Sequence, residues 1–135
     1  MAAWILKTEP TEYAFADLVK DGTTVWSWIS NATALIHLRN VAKSDTLVIY
    51  HTGKERQAVG LARAASGPYA DPALADPKRV VIDVAAGQFL KTAVTLEHFK
   101  VDPLLAKSDL VRIGRLSVVP LSDAQLARVL KLADG

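Results

Sequence analysis

The stretch DTLVIYHTGKERQAVGLARA, residues 45 to 64, carries the clearest structural signal in the chain. Two apolar runs, 46 to 51 and 57 to 65, are separated by a polar loop that contains a glycine. This pattern predicts a β-hairpin with the loop as its turn. The polar residues Tyr50, His51 and Thr52 then lie where the first strand ends.

Three further strand-like runs lie on either side of this hairpin, at residues 3 to 7, 79 to 85 and 115 to 119. Each is rich in Val, Ile or Leu and is bounded by residues that favour turns. The segment 66 to 79 contains three prolines and is predicted to be a loop that crosses between strands. The five runs together predict a mixed sheet or a small barrel.

Three helices are predicted between and after the strands, at residues 31 to 41, from 96 to 99, and at 121 to 132. Asn31 is placed to cap the first of them. Ser122 and Gln125 have the spacing of a capping box at the start of the last. Strands and helices in one short chain predict an α+β fold.

The composition limits the classes of function. A chain of 135 residues fits one domain, 1–135, with a core large enough to need no disulfide. It has no cysteine and three histidines, so no structural zinc site and no cofactor are predicted. The absence of a signal peptide or a long apolar run predicts a cytoplasmic protein without a membrane partner. The net charge of +2 allows a polyanionic partner without requiring one.

A polar cluster, Lys7-Thr8-Glu9-Pro10, ends the first strand-like run. It supplies a cation, a hydroxyl and a carboxylate within about 10 Å of chain. Such a group is either a solvated strand end or the polar floor of a pocket. The residues alone leave both interpretations open.

Two tryptophans, Trp26 and Trp28, precede the polar pair Ser30-Asn31. In an extended backbone residues two apart share one side, so both rings could face a flat ligand. Tryptophan is also a frequent core residue, and the sequence does not tell which ring is core.

Other polar residues are candidates for weaker reasons. His51 could act as a general base, but the chain has no nucleophile motif that would use it. Arg115 and Ser117 follow a glycine and could contact a phosphate or simply solvate a loop. No phosphate-binding loop or dinucleotide fingerprint occurs.

Several of these blocks, in the same order, resemble the EVE domain family over residues 3 to 130. The matching residues are Trp4, Lys7-Thr8-Glu9-Pro10, Trp26, Asn31, Ala34, Tyr50-His51-Thr52, Val59-Gly60-Leu61-Ala62, Tyr69, Asp71-Pro72, Ile82-Asp83-Val84 and Arg115-Leu116-Ser117-Val118. The resemblance implies a PUA-like fold, a curved mixed sheet or small β-barrel with helices packed around it, related to YTH domains. It also implies binding of modified bases, above all modified cytosines, in DNA or RNA.

By similarity, Lys7-Thr8-Glu9 would form the floor of a pocket for a flipped base. Trp26 would stack on the base, and Thr8, Glu9, Asn31 and His51 would read its edge. The full set of expected ligand-binding residues is Lys7, Thr8, Glu9, Pro10, Trp26, Trp28, Ser30, Asn31, Tyr50, His51, Thr52, Arg115 and Ser117.

One block departs from the family. The family pattern G-V-R-N-Y-Q-A-R is replaced here by Trp28-Ile29-Ser30-Asn31-Ala32-Thr33-Ala34-Leu35, so arginines are missing at Ser30 and Leu35. Their loss is expected to weaken phosphate contacts and to make the salt dependence of any nucleic-acid binding shallow.

Three functions follow as hypotheses. The first is a non-enzymatic reader of a modified base in nucleic acid. The second is a protein that binds a free nucleobase, a nucleoside or another small flat ligand, which the missing arginines favour. The third, an enzyme that uses His51 and Glu9 as acid and base, lacks a supporting nucleophile, metal or cofactor signature.

Overall fold

The computed structural model describes residues 2–135, which form seven strands and five α-helices. In chain order these are β1 (Ala3–Thr8), α1 (Phe15–Asp21), β2 (Thr23–Trp26), α2 (Ala32–Arg39), β3 (Thr46–His51), β4 (Gln57–Ala64), β5 (Tyr69–Ala70), β6 (Val80–Thr95), α3 (Leu96–Val101), α4 (Asp109–Arg112), β7 (Val118–Leu121) and α5 (Asp123–Ala133). A 3₁₀ turn at Leu105–Lys107 lies between α3 and α4.

The strands form a mixed sheet in the order β2-β6-β4-β3-β1-β7, and β5 pairs with β6 outside this path. The predicted hairpin is present as β3 and β4. β1 runs parallel to β3 and antiparallel to β7. Register shifts interrupt the pairing of β4 with the long strand β6, and such irregularities increase the twist of a sheet. The expected α+β class with a curved mixed sheet is confirmed, as an open sheet with β2 and β7 at its ends.

One hydrophobic cluster holds the sheet and the helices together. The strands of the hairpin and β1 supply much of it, since Leu47, Val48 and Ile49 are fully buried. Asp45, immediately before β3, is buried among donors: it accepts from the indole of Trp4 at 3.0 Å and from the backbone N–H of Ala42 at 2.8 Å. This carboxylate fixes the start of β3 against β1.

The helix caps agree with the sequence. The Asn31 carboxamide oxygen accepts from the N–H of Ala34 at 3.0 Å, at the start of α2. Ser122 and Gln125 form the capping box of α5, with bonds of 3.1 and 2.9 Å. Asparagine and serine side chains satisfy the free N–H groups of a first helical turn, which explains why both positions were predictable.

Other elements differ from the prediction. α1 and β2 were not predicted, because α1 buries only Phe15 and Leu18 and β2 is four residues long. β6 continues ten residues past the predicted end to Thr95, through a segment that is largely exposed and therefore lacks an apolar run. The last strand lies at Val118–Leu121 and not at 115 to 119, since residues 114 and 115 are exposed loop. Among residues 2–135, no helix has the length and apolar character needed to cross a membrane.

Candidate ligand-binding site

An open cavity of about 650 Å³ lies where β1 and β3 end. Three segments form it: the end of β1 with the turn that follows, the residue after β3, and the loop before β7. Trp28, from the segment after β2, forms one wall of the cavity. The lining residues are Lys7, Thr8, Glu9, Glu12, Tyr13, Trp28, Thr52, Gly114, Arg115 and Ser117.

Strand pairing brings these distant segments together. Thr8 is in register with His51 in the parallel β1-β3 pair, and the N–H of Thr52 donates to the Thr8 carbonyl at 3.0 Å. On the other side of β1, the N–H of Lys7 donates to the Ser117 carbonyl at 3.0 Å. The polar end of β1 is therefore the middle of a pocket floor, as the second interpretation of the motif required.

Glu9 is held as an acceptor at this floor. Its carboxylate accepts from the Thr11 hydroxyl at 3.1 Å and from the Thr52 hydroxyl at 3.1 Å. Partial desolvation by itself would raise the pKa of Glu9. The hydrogen bonds from Thr11 and Thr52 outweigh it, so the pKa lies below its ordinary value. At neutral pH Glu9 is thus ionised and offers only acceptor oxygens to a ligand.

Lys7 and Thr8 complete the floor. The Lys7 ammonium donates to the Gly114 carbonyl at 2.9 Å and lies 5.8 Å from the centre of the Tyr50 ring. Burial lowers the pKa of Lys7, because desolvation disfavours the charged amine. The buried Thr8 hydroxyl donates to the Tyr13 carbonyl at 2.6 Å, which leaves its oxygen lone pairs to accept.

An aromatic cluster forms the wall. Trp28 has 43 % of its surface exposed and lines the cavity, whereas Trp26 is fully buried behind it, with ring centres 4.4 Å apart. The Tyr13 ring lies 5.7 Å from that of Trp28, and its hydroxyl donates to Asp21 at 2.8 Å. The pKa of the Tyr13 phenol is raised, mainly because burial disfavours its charged form. The accessible indole face at this site is that of Trp28.

The expectation that the Trp26 ring faces the cavity is therefore not met, because this ring is fully buried and does not line the cavity. Its indole N–H has no partner among the described residues, an unusual state for a buried polar group. No sequence signal distinguishes the two tryptophans, because residues two apart share one side of an extended segment. The ring nearer to the core is the one that belongs to β2.

His51 also does not have the role expected of it, which was to read the edge of a base in the cavity. Its Nε2 accepts from the backbone N–H of Phe15 at 2.9 Å, and its Nδ1 lies 2.9 Å from a Glu55 carboxylate oxygen. Because Nε2 accepts, the proton must reside on Nδ1, and both ring nitrogens are occupied. His51 anchors the start of α1 and does not line the cavity.

The expected residues thus separate into two groups. Those that line the cavity are Lys7, Thr8, Glu9, Trp28, Thr52, Arg115 and Ser117. Those that do not are Pro10, Trp26, Ser30, Asn31, Tyr50 and His51. Asn31 is used as the cap of α2, Tyr50 is buried under Lys7, and Ser30 borders a different depression.

Glu12, Tyr13 and Gly114 line the cavity but were not predicted. The N–H groups of Glu12 and Tyr13 both donate to the Glu9 carbonyl at 2.9 Å, so the turn after Pro10 folds back over the end of β1. Proline after a polar strand end was the available signal that the next residues return to the same place.

Gly53 is required by this arrangement. Its φ of +71° is rarely adopted by other residues, and a Cβ there would lie 2.5 Å from a Glu9 carboxylate oxygen. We expect Gly53→Ala to cost about 1 to 2 kcal/mol of stability through backbone strain and also to displace Glu9 and weaken ligand binding.

Gly22→Ala is the matched control for Gly53→Ala. Its φ of +79° is also one that other residues rarely adopt, but no atom lies within 4 Å of the added Cβ. Thermal unfolding should report a loss in both variants, whereas titration with ligand should report a loss in Gly53→Ala alone. Equal ligand binding by the two variants would show that the position of Glu9 is unimportant.

These features define a small α+β domain whose cavity has an aromatic wall, a charged polar floor and a mouth open to solvent. The family profile of the EVE domain matches residues 2–132, and the chain belongs to this family.

Solved structures of high similarity cover nearly the whole chain. The NMR structure of Rpa0253 from Rhodopseudomonas palustris is 32 % identical, with 99 % of this chain and 94 % of that chain covered and a TM-score of 0.94. The crystal structure of Atu2648 from Agrobacterium tumefaciens is 25 % identical, with coverage of 98 % and 93 % and a TM-score of 0.94.

The crystal structure of human THYN1 in complex with DNA containing 5-methylcytosine is also similar. It is 23 % identical, with 100 % of this chain and 99 % of that chain covered and a TM-score of 0.91. This likeness confirms the PUA-like fold that the sequence resemblance implied. No curated protein sequence is similar enough to count as a match.

Proposed function

We propose that this protein binds a modified base, a modified cytosine in DNA or RNA, without catalysing a reaction. The observation that carries the proposal is the exposed face of Trp28 beside the ionised carboxylate of Glu9 in one cavity. A flipped base needs a ring to stack on and hydrogen-bonding groups at its edge.

The polar floor suits the edge of a cytosine. Carboxylates accept hydrogen bonds from the exocyclic N4 amino group of cytosine, and Glu9 is held in the ionised form that can do so. The Lys7 ammonium is a donor that can reach the carbonyl side of a base. A methyl group on the ring would pack against the aromatic wall of Tyr13 and Trp28.

The comparison with human THYN1 supports the choice of ligand. That protein was crystallised with DNA containing 5-methylcytosine, and it shares the fold of this chain over its full length. A cytosine with a modification at its ring is therefore the first ligand to test.

A binding role fits the state of the acid-base candidates. His51 uses one ring nitrogen for the Phe15 N–H and the other for the Glu55 carboxylate, so neither nitrogen is free for a substrate. A general base must reach the proton that it removes, and His51 does not line the cavity. This arrangement supports recognition in place of catalysis.

A free nucleobase or nucleoside is the second candidate, and the charges of the cavity favour it. Two cationic residues, Lys7 and Arg115, are balanced by Glu9 and Glu12. A cavity whose charges cancel attracts a polyanion less strongly than a basic cavity does. Binding of a small neutral ligand would need no contact outside the cavity.

The test is a titration of the protein with short DNA and RNA strands and with free nucleosides, each with cytosine or 5-methylcytosine. The proposal expects the methylated strand to bind more tightly than its unmodified counterpart. Equal affinity for methylated and unmodified ligands of every kind would contradict it. If the free nucleoside binds as tightly as the strand that contains it, the second candidate is correct.

A further inference from the structure

A second depression in the surface is basic. It has a volume of about 420 Å³ and lies between α2 and the loop before β6. Its lining residues are Ser30, Ala32, Leu35, Ile36, Arg39, Asp76, Lys78 and Arg79. We call it the α2 groove. Three of these residues are cationic and one is acidic, whereas the charges of the ligand cavity cancel.

The two arginines of the α2 groove are held in place by backbone carbonyls. Arg39 Nη2 donates to the Lys78 carbonyl at 2.8 Å, and Arg79 Nε donates to the Ile29 carbonyl at 3.1 Å. A guanidinium carries five N–H donors, so each arginine keeps donors for another partner. Anchored guanidinium groups lose little freedom on binding, and they match phosphate oxygens in geometry.

The α2 groove adjoins the ligand cavity along the chain. Trp28 lines the cavity, Ile29 receives Arg79, and Ser30 lines the groove. Two residues of chain span at most about 7 Å. A strand whose base stacks on Trp28 would therefore have its neighbouring phosphates within reach of the groove.

The α2 groove includes the two positions at which this sequence lacks the arginines of the family pattern. The missing arginines would stand at Ser30 and Leu35, and both positions line the groove. Arg39, one helical turn after Leu35, and the loop residues Lys78 and Arg79 bring cations to the same surface from other parts of the sequence.

We propose that the α2 groove binds the sugar-phosphate backbone of the strand whose base occupies the ligand cavity, through Arg39, Lys78 and Arg79. This inference rests on the proposed function. It assigns base recognition to one depression and phosphate contacts to its neighbour. Three phosphate contacts give a slope of log affinity against log salt of about 2 to 3, the shallow dependence expected from the sequence.

The experiment compares three variants with the wild-type protein. The test variant is Arg39→Gln with Lys78→Gln and Arg79→Gln. The control is Arg63→Gln with Lys91→Gln and Lys131→Gln, which removes the same charge at exposed positions that line neither depression. The third variant, Asp76→Asn, removes the only carboxylate that lines the α2 groove.

The probes are a short DNA strand that contains 5-methylcytosine and free 5-methyldeoxycytidine. The test variant should bind the strand about 10- to 100-fold more weakly at about 0.15 M salt and lose most of its salt slope. Asp76→Asn should bind the strand more tightly. The control should bind the strand nearly as the wild type does, and all three should bind the nucleoside normally.

Unchanged affinity of the test variant for the strand would overturn the assignment of the α2 groove and leave the proposed function intact. An equal loss in test and control variants would also overturn it, since net charge and not position would then decide binding. If the wild type binds neither the DNA strand nor the free nucleoside, the proposed function is overturned, and the groove assignment with it. Circular dichroism of each variant verifies that it is folded.

Discussion

Trp28→Ala is expected to weaken binding of a methylcytosine-containing strand by about 5- to 150-fold, with little change in thermal unfolding. The reason is that stacking of a base on an aromatic ring is worth roughly 1 to 3 kcal/mol, whereas a half-exposed ring contributes little to the core. Fluorescence or calorimetric titration measures the affinity, and thermal denaturation measures the stability.

Trp28→Phe is the matched control, because it keeps an aromatic face at the same position. It should retain most of the affinity that Trp28→Ala loses. If Trp28→Ala binds the strand as the wild type does, the exposed indole is not the stacking surface. The proposed function would then lose the observation on which it rests.

Trp26→Ala is expected to lower the free energy of unfolding by roughly 3 to 5 kcal/mol, because it leaves a large cavity beneath the binding site. Loss of this support should also let Trp28 and Tyr13 shift, since both pack against the Trp26 ring. Chemical denaturation measures the effect, and a change of the midpoint without a change of slope would identify it as a loss of stability.

Trp26→Phe separates ring volume from the indole N–H. It keeps most of the buried apolar surface and removes the donor that has no partner among residues 2–135. The loss of stability should therefore be clearly smaller than for Trp26→Ala. A loss as large as that of the alanine variant would mean that the N–H is satisfied in solution.

The sequence was most informative where local chemistry controls the structure. The β3-β4 hairpin follows from two apolar runs on either side of a glycine-containing turn, and the caps at Asn31 and Ser122 follow from side chains that bond their own helix. β2 and α1 have too few buried residues to produce a pattern. They form because the existing sheet and core give them a surface to pack on.

The candidate site was predictable only in part, for a similar reason. Lys7, Thr8 and Glu9 stand out because charged and hydroxyl groups end a buried strand, and Thr52 follows the strand that pairs with it. Which of Trp26 and Trp28 is buried depends on where β2 ends, and no local signal marks that point. The use of both His51 nitrogens depends on contacts with Phe15 and Glu55, and the first of these lies 36 positions away in the sequence.

The pairing of β1 with β7 has a consequence for how the protein is made. Ala3 pairs with Leu121, and the Lys7 ammonium is held by the carbonyl of Gly114. During synthesis β1 leaves the ribosome more than a hundred residues before β7, so the two strands cannot pair until synthesis is nearly complete. Contacts between such distant segments slow folding, and the exposed edge of β1 is open to aggregation in the meantime. A nascent chain arrested before β7 is therefore expected to be a substrate for chaperones.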